Sequence, residues 1–252
     1  MKKISAVTLV ALIASVMLTS CNKSGESPTS LALQKSGTML MKIGIAVPNS
    51  QSGRIPVPGG YITVDSLMIN LQRIQIQENS GFQGEQQGEH SDPDGGGSEG
   101  ERGDIVISGP LALEISSGLA AIGPVPVYAG TFLQTDLHFA PSPLPPLNGN
   151  AIVVRGTYIR TDSTHISLTM LSRYSNVVET RIANGGIIVP RDSTVTVRLT
   201  FNLNSWFGTV PFNNAQLTNG RIIVDQSNNT QLLTVFETNL RGSAEEELEG
   251  RH

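Results

Sequence analysis

Cysteine is almost missing from this chain. The single one, Cys21, leaves a secreted protein no internal disulfide to form. Histidine is scarce too. His90, His138, His165 and His252 are too far apart for any two to share one or two helical turns, so zinc-ligand spacing is absent and no metal or cofactor is expected. Positive charge is in short supply. Without the first 20 residues, which hold Lys2 and Lys3, 15 of the 17 Lys and Arg remain against 21 Asp and Glu, a net charge of −6. That balance excludes a nucleic-acid partner, whose phosphates need a basic surface, and speaks against electrostatic docking onto anionic lipid. No apolar run after the first 20 residues reaches membrane-spanning length.

Those first 20 residues have a plan of their own. Met1-Lys2-Lys3 is basic, Ile4 to Leu18 is apolar apart from Ser5, Thr8 and Ser15, and Leu18-Thr19-Ser20 precedes Cys21. A basic start, a short apolar core and small residues before a cut describe a cleavable secretory signal. The core is about 15 residues, short of the roughly 20 a spanning helix needs. Leu-Thr-Ser-Cys resembles the lipobox of bacterial lipoproteins, in which the thiol is diacylated, the chain is cut before it and the new amine is acylated. Lipidation accounts for the lone Cys21. Each buried methylene contributes about 0.8 kcal/mol, so three acyl chains make release negligible. Asn22, rather than the aspartate that retains some lipoproteins at the inner membrane, points to lipid anchoring at the outer membrane, on its periplasmic or its cell-surface face. Residues 21–37 are mostly small and polar, which suits a tether.

From Thr38 onward the pattern is that of strands. Met39, Met41, Ile43, Ile45 and Val47 alternate along 38–47, and the Pro/Gly-rich 48–60 breaks the run. Tyr61–Glu78 is a long β run. Leu67, Ile69 and Leu71 share one parity while Ile74 and Ile76 take the other, so a β-bulge is expected near Gln72-Arg73. Residues 79–104 hold eight glycines, seven acidic residues and one arginine, and are expected to be a mobile inserted loop. Strand signals resume at 105–108, 111–115, 131–139 (with Leu133, Leu137 and Phe139 in phase), 151–160, 165–174, 177–182, 187–189, 194–204 and 221–225. Leu232, Leu233, Phe236 and Leu240 stand at helical spacing in 229–240, with Asn228 or Asn229 placed to cap the start and Gly242 to end it. The expected fold class is all-β, an antiparallel β-sandwich over 38–242 with a short C-terminal helix and a frayed acidic tail at 243–252. The proline-rich 141–150 is a stiff connection that allows a division into two half-domains.

Three stretches carry a family resemblance: Ile62-Thr63-Val64-Asp65-Ser66-Leu67-Met68-Ile69, Leu111-Ala112-Leu113-Glu114-Ile115 and Val127-Tyr128-Ala129-Gly130-Thr131-Phe132. With Leu203-Asn204-Ser205-Trp206-Phe207, their order is similar to that of an uncharacterised family of bacterial lipoproteins with a prealbumin-like β-sandwich. The resemblance covers most of 38–242. It implies a place on the envelope surface or in the periplasm, and it implies no reaction and no catalytic residue.

Chemistry-bearing motifs are weak. Gly96-Gly97-Ser98-Glu99-Gly100 matches the hydrolase pattern Gly-x-Ser-x-Gly, but lacks the strand-to-helix turn that exposes such a serine. Asp92-x-Asp94-Gly95 opens like a calcium loop, yet positions five and twelve are Gly96 and Gly103. Asp65-Ser66-Leu67, Asp162-Ser163-Thr164 and Asp192-Ser193-Thr194 look like an O-glycosylation sequon of one group of Gram-negative bacteria, which makes Ser66, Ser163 and Ser193 candidate acceptors. Asp-Ser also favours turns through side-chain hydrogen bonds, and the second and third stand where hairpin turns are expected. Trp206 and Phe207 would offer a stacking anchor if exposed and plug one end of the fold if buried; burial is the expectation. The functional expectation is a non-enzymatic envelope module binding a protein or glycan partner, with envelope polymer or glycan processing as the alternative.

Overall fold

The computed structural model describes residues 37–46, 53–79, 104–115, 120–182 and 185–242. The signal segment, Cys21, the rest of the tether, most of the acidic glycine-rich stretch (with His90 and Ser98) and the tail with His252 lie outside the described residues. In chain order the strands are β1 (Gly37–Ala46), β2 (Arg54–Val57), β3 (Gly60–Glu78), β4 (Ile105–Glu114), β5 (Ala120–Val127), β6 (Gly130–Phe139) and β7 (Ile152–Arg160). Next come β8 (His165–Ser172), β9 (Val177–Arg181), β10 (Ile187–Val189) and β11 (Thr194–Asn202). Helix α1 (Leu203–Phe207), a 3-10 turn (Phe212–Asn214), β12 (Leu217–Thr218), β13 (Arg221–Val224) and helix α2 (Thr230–Gly242) complete the chain.

The strands form two sheets. The small sheet has the order β11-β1-β5. The large one runs β10-β6-β3-β7-β8-β13-β12, with β2 and β4 paired to β3 and β9 paired to β6. β1 lies parallel to β11, and β8 parallel to β13. The wholly antiparallel expectation is thereby corrected to mixed sheets. Parallel neighbours need a crossover between them, and both pairs join segments far apart in sequence, where local alternation carries no sign of direction.

Strand β3 organises the large sheet. Its first half pairs with β7 and its second half with β6, while β4 lines its other edge. The register shifts between Leu71 and Arg73 against both neighbours: against β6 Gln72 is the extra residue, against β4 it stands opposite Gly109 and Pro110, and the parity change seen in the sequence is a bulge. Leu67, Ile69, Leu71, Ile74 and Ile76 consequently all face the core. A second bulge, where Gln77 and Glu78 meet Gln134 and Phe132, skips Leu133. Phe132 is therefore buried and Leu133 only half-buried, which corrects the phase expected from Leu133, Leu137 and Phe139. β5 forms despite Pro124 and Pro126, because it is an edge strand whose missing N–H groups need no partner.

Side chains from both sheets meet in one core, including Met39, Met41 and Ile43 of β1, Ile69 and Ile74 of β3, and Val197 and Leu199 of β11. One end is closed by aromatic rings. β11 stops at Asn202, whose side-chain oxygen accepts from Asn204 N at 3.0 Å and Ser205 N at 3.4 Å and so starts α1. Trp206 and Phe207 are carried inward, with ring centroids 4.9 Å from Phe201 to Trp206 and 5.1 Å from Phe207 to Phe236 of α2. Asn229, expected as a helix cap, turns its side chain elsewhere. At φ 50° it accepts from Gln216 N and donates to the carbonyls of Gln216 and Ile223, tying the start of α2 to β13.

The 141–150 stretch does not separate two bodies. The described residues on both sides of it belong to one compact unit. Ser142 and Asn150 bridge the stretch, and its Leu147 packs on Met68 and Val153, which are cross-strand partners on the outward side of β3 and β7.

Candidate functional site

The outward side of the large sheet becomes polar beyond the Gln72 bulge. Because residues paired across neighbouring strands point to the same side, the registers of β4, β3, β6 and β9 define two transverse rows. One reads Ser108, Arg73, His138, Val177; the next reads Val106, Gln75, Asp136, Glu179. Gln77 and Gln134 face each other one step further on.

These side chains hold one another in place. Gln77 Nε2 donates to Asp136 Oδ2 at 2.7 Å, and Gln134 Nε2 donates to Asp136 Oδ1 at 2.8 Å. Asp136 is 8% exposed, and two amide donors offset the cost of burying its charge. Gln75 Nε2 donates to Asp104 Oδ2 at 2.6 Å and its Oε1 accepts from Arg73 Nη2 at 2.5 Å. Each carboxylate oxygen keeps lone-pair capacity beyond these bonds. At the Arg73 end, Asn70 Oδ1, Arg73 Nε and His138 Nε2 are buried without a hydrogen-bond partner. Such a group costs about 1–3 kcal/mol when left unmet. His138, on the same outward side, is half-buried beside its register partner Arg73. Val106 and Val177 are both exposed and border the rows on β4 and β9.

This set of residues was not singled out by spacing. Arg73, Gln75 and Gln77 alternate along β3, as do Gln134, Asp136 and His138 along β6, and that is the ordinary mark of a solvent-facing side. Only the cross-strand register brings the two series together.

The three candidate acceptor serines stand apart from one another in the fold. Ser66 lies within β3, beside the extra residue Asp65 at a further bulge against β7, and not in a turn. Ser163 sits in the β7–β8 turn at φ 67°, where Asp162 Oδ1 accepts from Thr164 N at 2.9 Å. The N–H and hydroxyl of Thr164 hold the exposed Asp162 carboxyl below its ordinary value. Ser193 follows Asp192 in the β10–β11 turn, and its Oγ donates to Pro190 O at 2.6 Å. Trp206 and Phe207, 1% and 0% exposed, offer no ring face to a partner. A half-open cleft of about 160 Å³ beside β4 is lined mainly by Met68, Ala112, Leu113, Glu114 and Leu147. Among the described residues, no group of three or more His, Cys, Asp or Glu is placed to hold a metal ion.

No family model, curated protein or solved structure matches the chain.

Proposed function

We propose that this chain is a lipid-anchored module of the bacterial cell envelope that binds a glycan through the outward polar rows of its large sheet. The observation that carries the reading is the pair of rows at Arg73–His138 and Gln75–Asp136, extended by Gln77 and Gln134. A sugar presents hydroxyls, each both donor and acceptor, on a ring with apolar C–H faces. Fixed amides and carboxylates bordered by exposed Val106 and Val177 meet both needs without reorganising.

The anchor part of the reading rests on the sequence of the first 21 residues, with Cys21 as the lipidated residue and the outer membrane as the destination. The two sheets around one core are read as the sandwich that the lipoprotein resemblance implies, with Ser66, Ser163 and Ser193 as its candidate glycosylation positions.

The test is affinity for purified envelope polysaccharide and for peptidoglycan fragments. Gln77→Ala with Gln134→Ala should weaken binding at least tenfold and leave the circular dichroism spectrum unchanged. Equal binding by this variant, or no binding of either polymer by the parent chain, ends the glycan reading. Cell fractionation of Cys21→Ser tests the anchor separately: release from membranes or blocked processing is expected, and full retention after normal cleavage refutes it.

A further inference from the structure

Charge is divided unevenly between the two sheets. Among the described residues, all the carboxylates within strands, Asp65, Glu78, Glu114, Asp136 and Glu179, belong to the large sheet. β1, β5 and β11 contain no Asp or Glu, and their only charged residues are Lys42 and Arg198. The strands of the large sheet hold six arginines beside their five carboxylates, so their charges are mixed, whereas those of the small sheet are of one sign.

Lys42 and Arg198 are direct register partners across the parallel β1–β11 pair. Neighbouring strands lie about 4.8 Å apart, so two cations stand side by side on one face. Like charges placed opposite each other disfavour a sheet, and an anion shared between them reverses that effect. Their face is the outward one, since Met41 and Val197, one position before each, are buried in the core. Around them stand Thr38, Thr194, Thr196 and Thr200, whose hydroxyls can donate to phosphate oxygens. Leu40, with exposed Pro124 and Pro126 beside β1, completes a surface with apolar side chains between the polar ones.

We infer that the outward face of the small sheet docks on the anionic headgroups of the membrane that carries the protein. The inference rests on the lipid-anchor reading. β1, the central strand of this sheet, is the first described element after Cys21, and Gly37 lies 16 positions beyond that residue. A chain of that length reaches at most about 55 Å, which lets the face meet the bilayer. The overall negative charge that spoke against such docking is a sum over the whole chain, with only 5 of the 21 Asp and Glu in the described strands, whereas a surface potential acts within a Debye length, about 8 Å in physiological salt.

The experiment uses the full chain carrying Cys21→Ser, so that no acyl group holds it, and measures co-sedimentation with two vesicle types. One is phosphatidylcholine with a third phosphatidylglycerol; the other is phosphatidylcholine alone, which accounts for binding by the apolar residues 4–18. Partitioning should favour the anionic vesicles. Lys42→Gln with Arg198→Gln should reduce that excess roughly thirtyfold, and Arg198→Gln alone roughly fivefold, from the usual contribution of a basic residue near such a surface. The single change at exposed Arg198 serves if the double variant does not fold. Arg155→Gln with Arg173→Gln changes net charge equally on exposed residues outside the small sheet and should leave the excess intact. No excess in the parent chain, an unchanged excess in the Lys42/Arg198 and Arg198 variants, or an equal loss in the Arg155/Arg173 pair overturns the inference. Fractionation of the chain with Cys21 intact reports the anchor independently, so failure of one reading is not confused with failure of the other.

Discussion

Trp206→Ala is the sharpest probe of how this fold is closed. The indole is buried at the junction of β11, α1 and α2, with ring centroids 4.9 Å from Phe201 and 6.1 Å from Phe236. Replacing a packed tryptophan by alanine costs about 3–5 kcal/mol, from lost transfer energy and the cavity left behind. The upper half of that range is expected, because two aromatic contacts of about 0.5–1.5 kcal/mol each are lost with the ring. The backbone contact survives, since Asn239 Nδ2 donates to the Trp206 carbonyl at 2.9 Å, so the loss reports the side chain. At about 2–4 °C per kcal/mol for a domain of this size, the melting temperature should fall by roughly 8–20 °C. Urea denaturation followed by circular dichroism measures the change. As the chain has one tryptophan, its fluorescence in the parent protein should be blue-shifted and protected from quenchers. A cost below about 1 kcal/mol, or emission typical of solvent-exposed indole, would refute the packing argument.

Other positions give independent tests by chemical denaturation. Asn202→Ala removes the side-chain acceptor that starts α1 and should cost about 1 kcal/mol, with Asn202→Asp retaining most of it. Asn229→Ala loses three side-chain hydrogen bonds and places alanine at φ 50°, so about 2–4 kcal/mol is expected; Asn229→Gly relieves the backbone and should recover only part. Gly156→Ala drives a Cβ into the Thr63 carbonyl oxygen of β3 and should cost about 1–3 kcal/mol or more, or shift the β3–β7 register. Burial raises the phenols of Tyr158 and Tyr174 above their ordinary value of 10.0. Their contribution is therefore complete at neutral pH and lost as pH climbs through 10.0 towards the folded-state values, visible as a falling urea midpoint. Burial acts to raise the Asp225 carboxyl, but donors from Ser227 and Asn228 outweigh it and hold it below 3.8, so its contribution disappears only as pH falls below that value.

Local patterns reached the fold where the cause of structure is local. The parity change from Leu71 to Ile74 located the β3 bulge, and the alternation through Val197, Leu199 and Phe201 gave β11 its inward side. Leu232, Leu233, Phe236 and Leu240 gave α2 its buried stripe. Patterns failed where a distant partner decides. β5, with prolines at 124 and 126, gives no strand signal of its own, and its pairing depends on β1 along one edge only. The inward turn of Phe132 depends on a bulge against Glu78, far away in sequence. α1 is too short for a periodic signal, so Trp206 looked like the end of a strand. The polar rows have the same character: Gln77 and Asp136 are 59 positions apart, and their hydrogen bond exists only because β3 and β6 pair in one particular register.

The charge division ties the two surfaces together. The sheets share a core, so their outward sides face away from it in different directions. If Lys42 and Arg198 rest on headgroups, the rows at Arg73–His138 and Gln75–Asp136 are turned from the bilayer toward whatever occupies the space beyond it. The five strand carboxylates are then kept away from an anionic surface that would repel them, and the only two charges of the small sheet are spent against it. Reversing the two sides would place Asp136 and Glu179 against the lipid phosphates and leave adjacent cations unopposed. Charge reversal at Lys42 and Arg198 should therefore weaken vesicle binding without altering polysaccharide affinity, while Gln77→Ala with Gln134→Ala should do the opposite. A single variant that lowers both to the same degree would mean that one surface serves both partners, and that the separation of charge between the sheets has another cause.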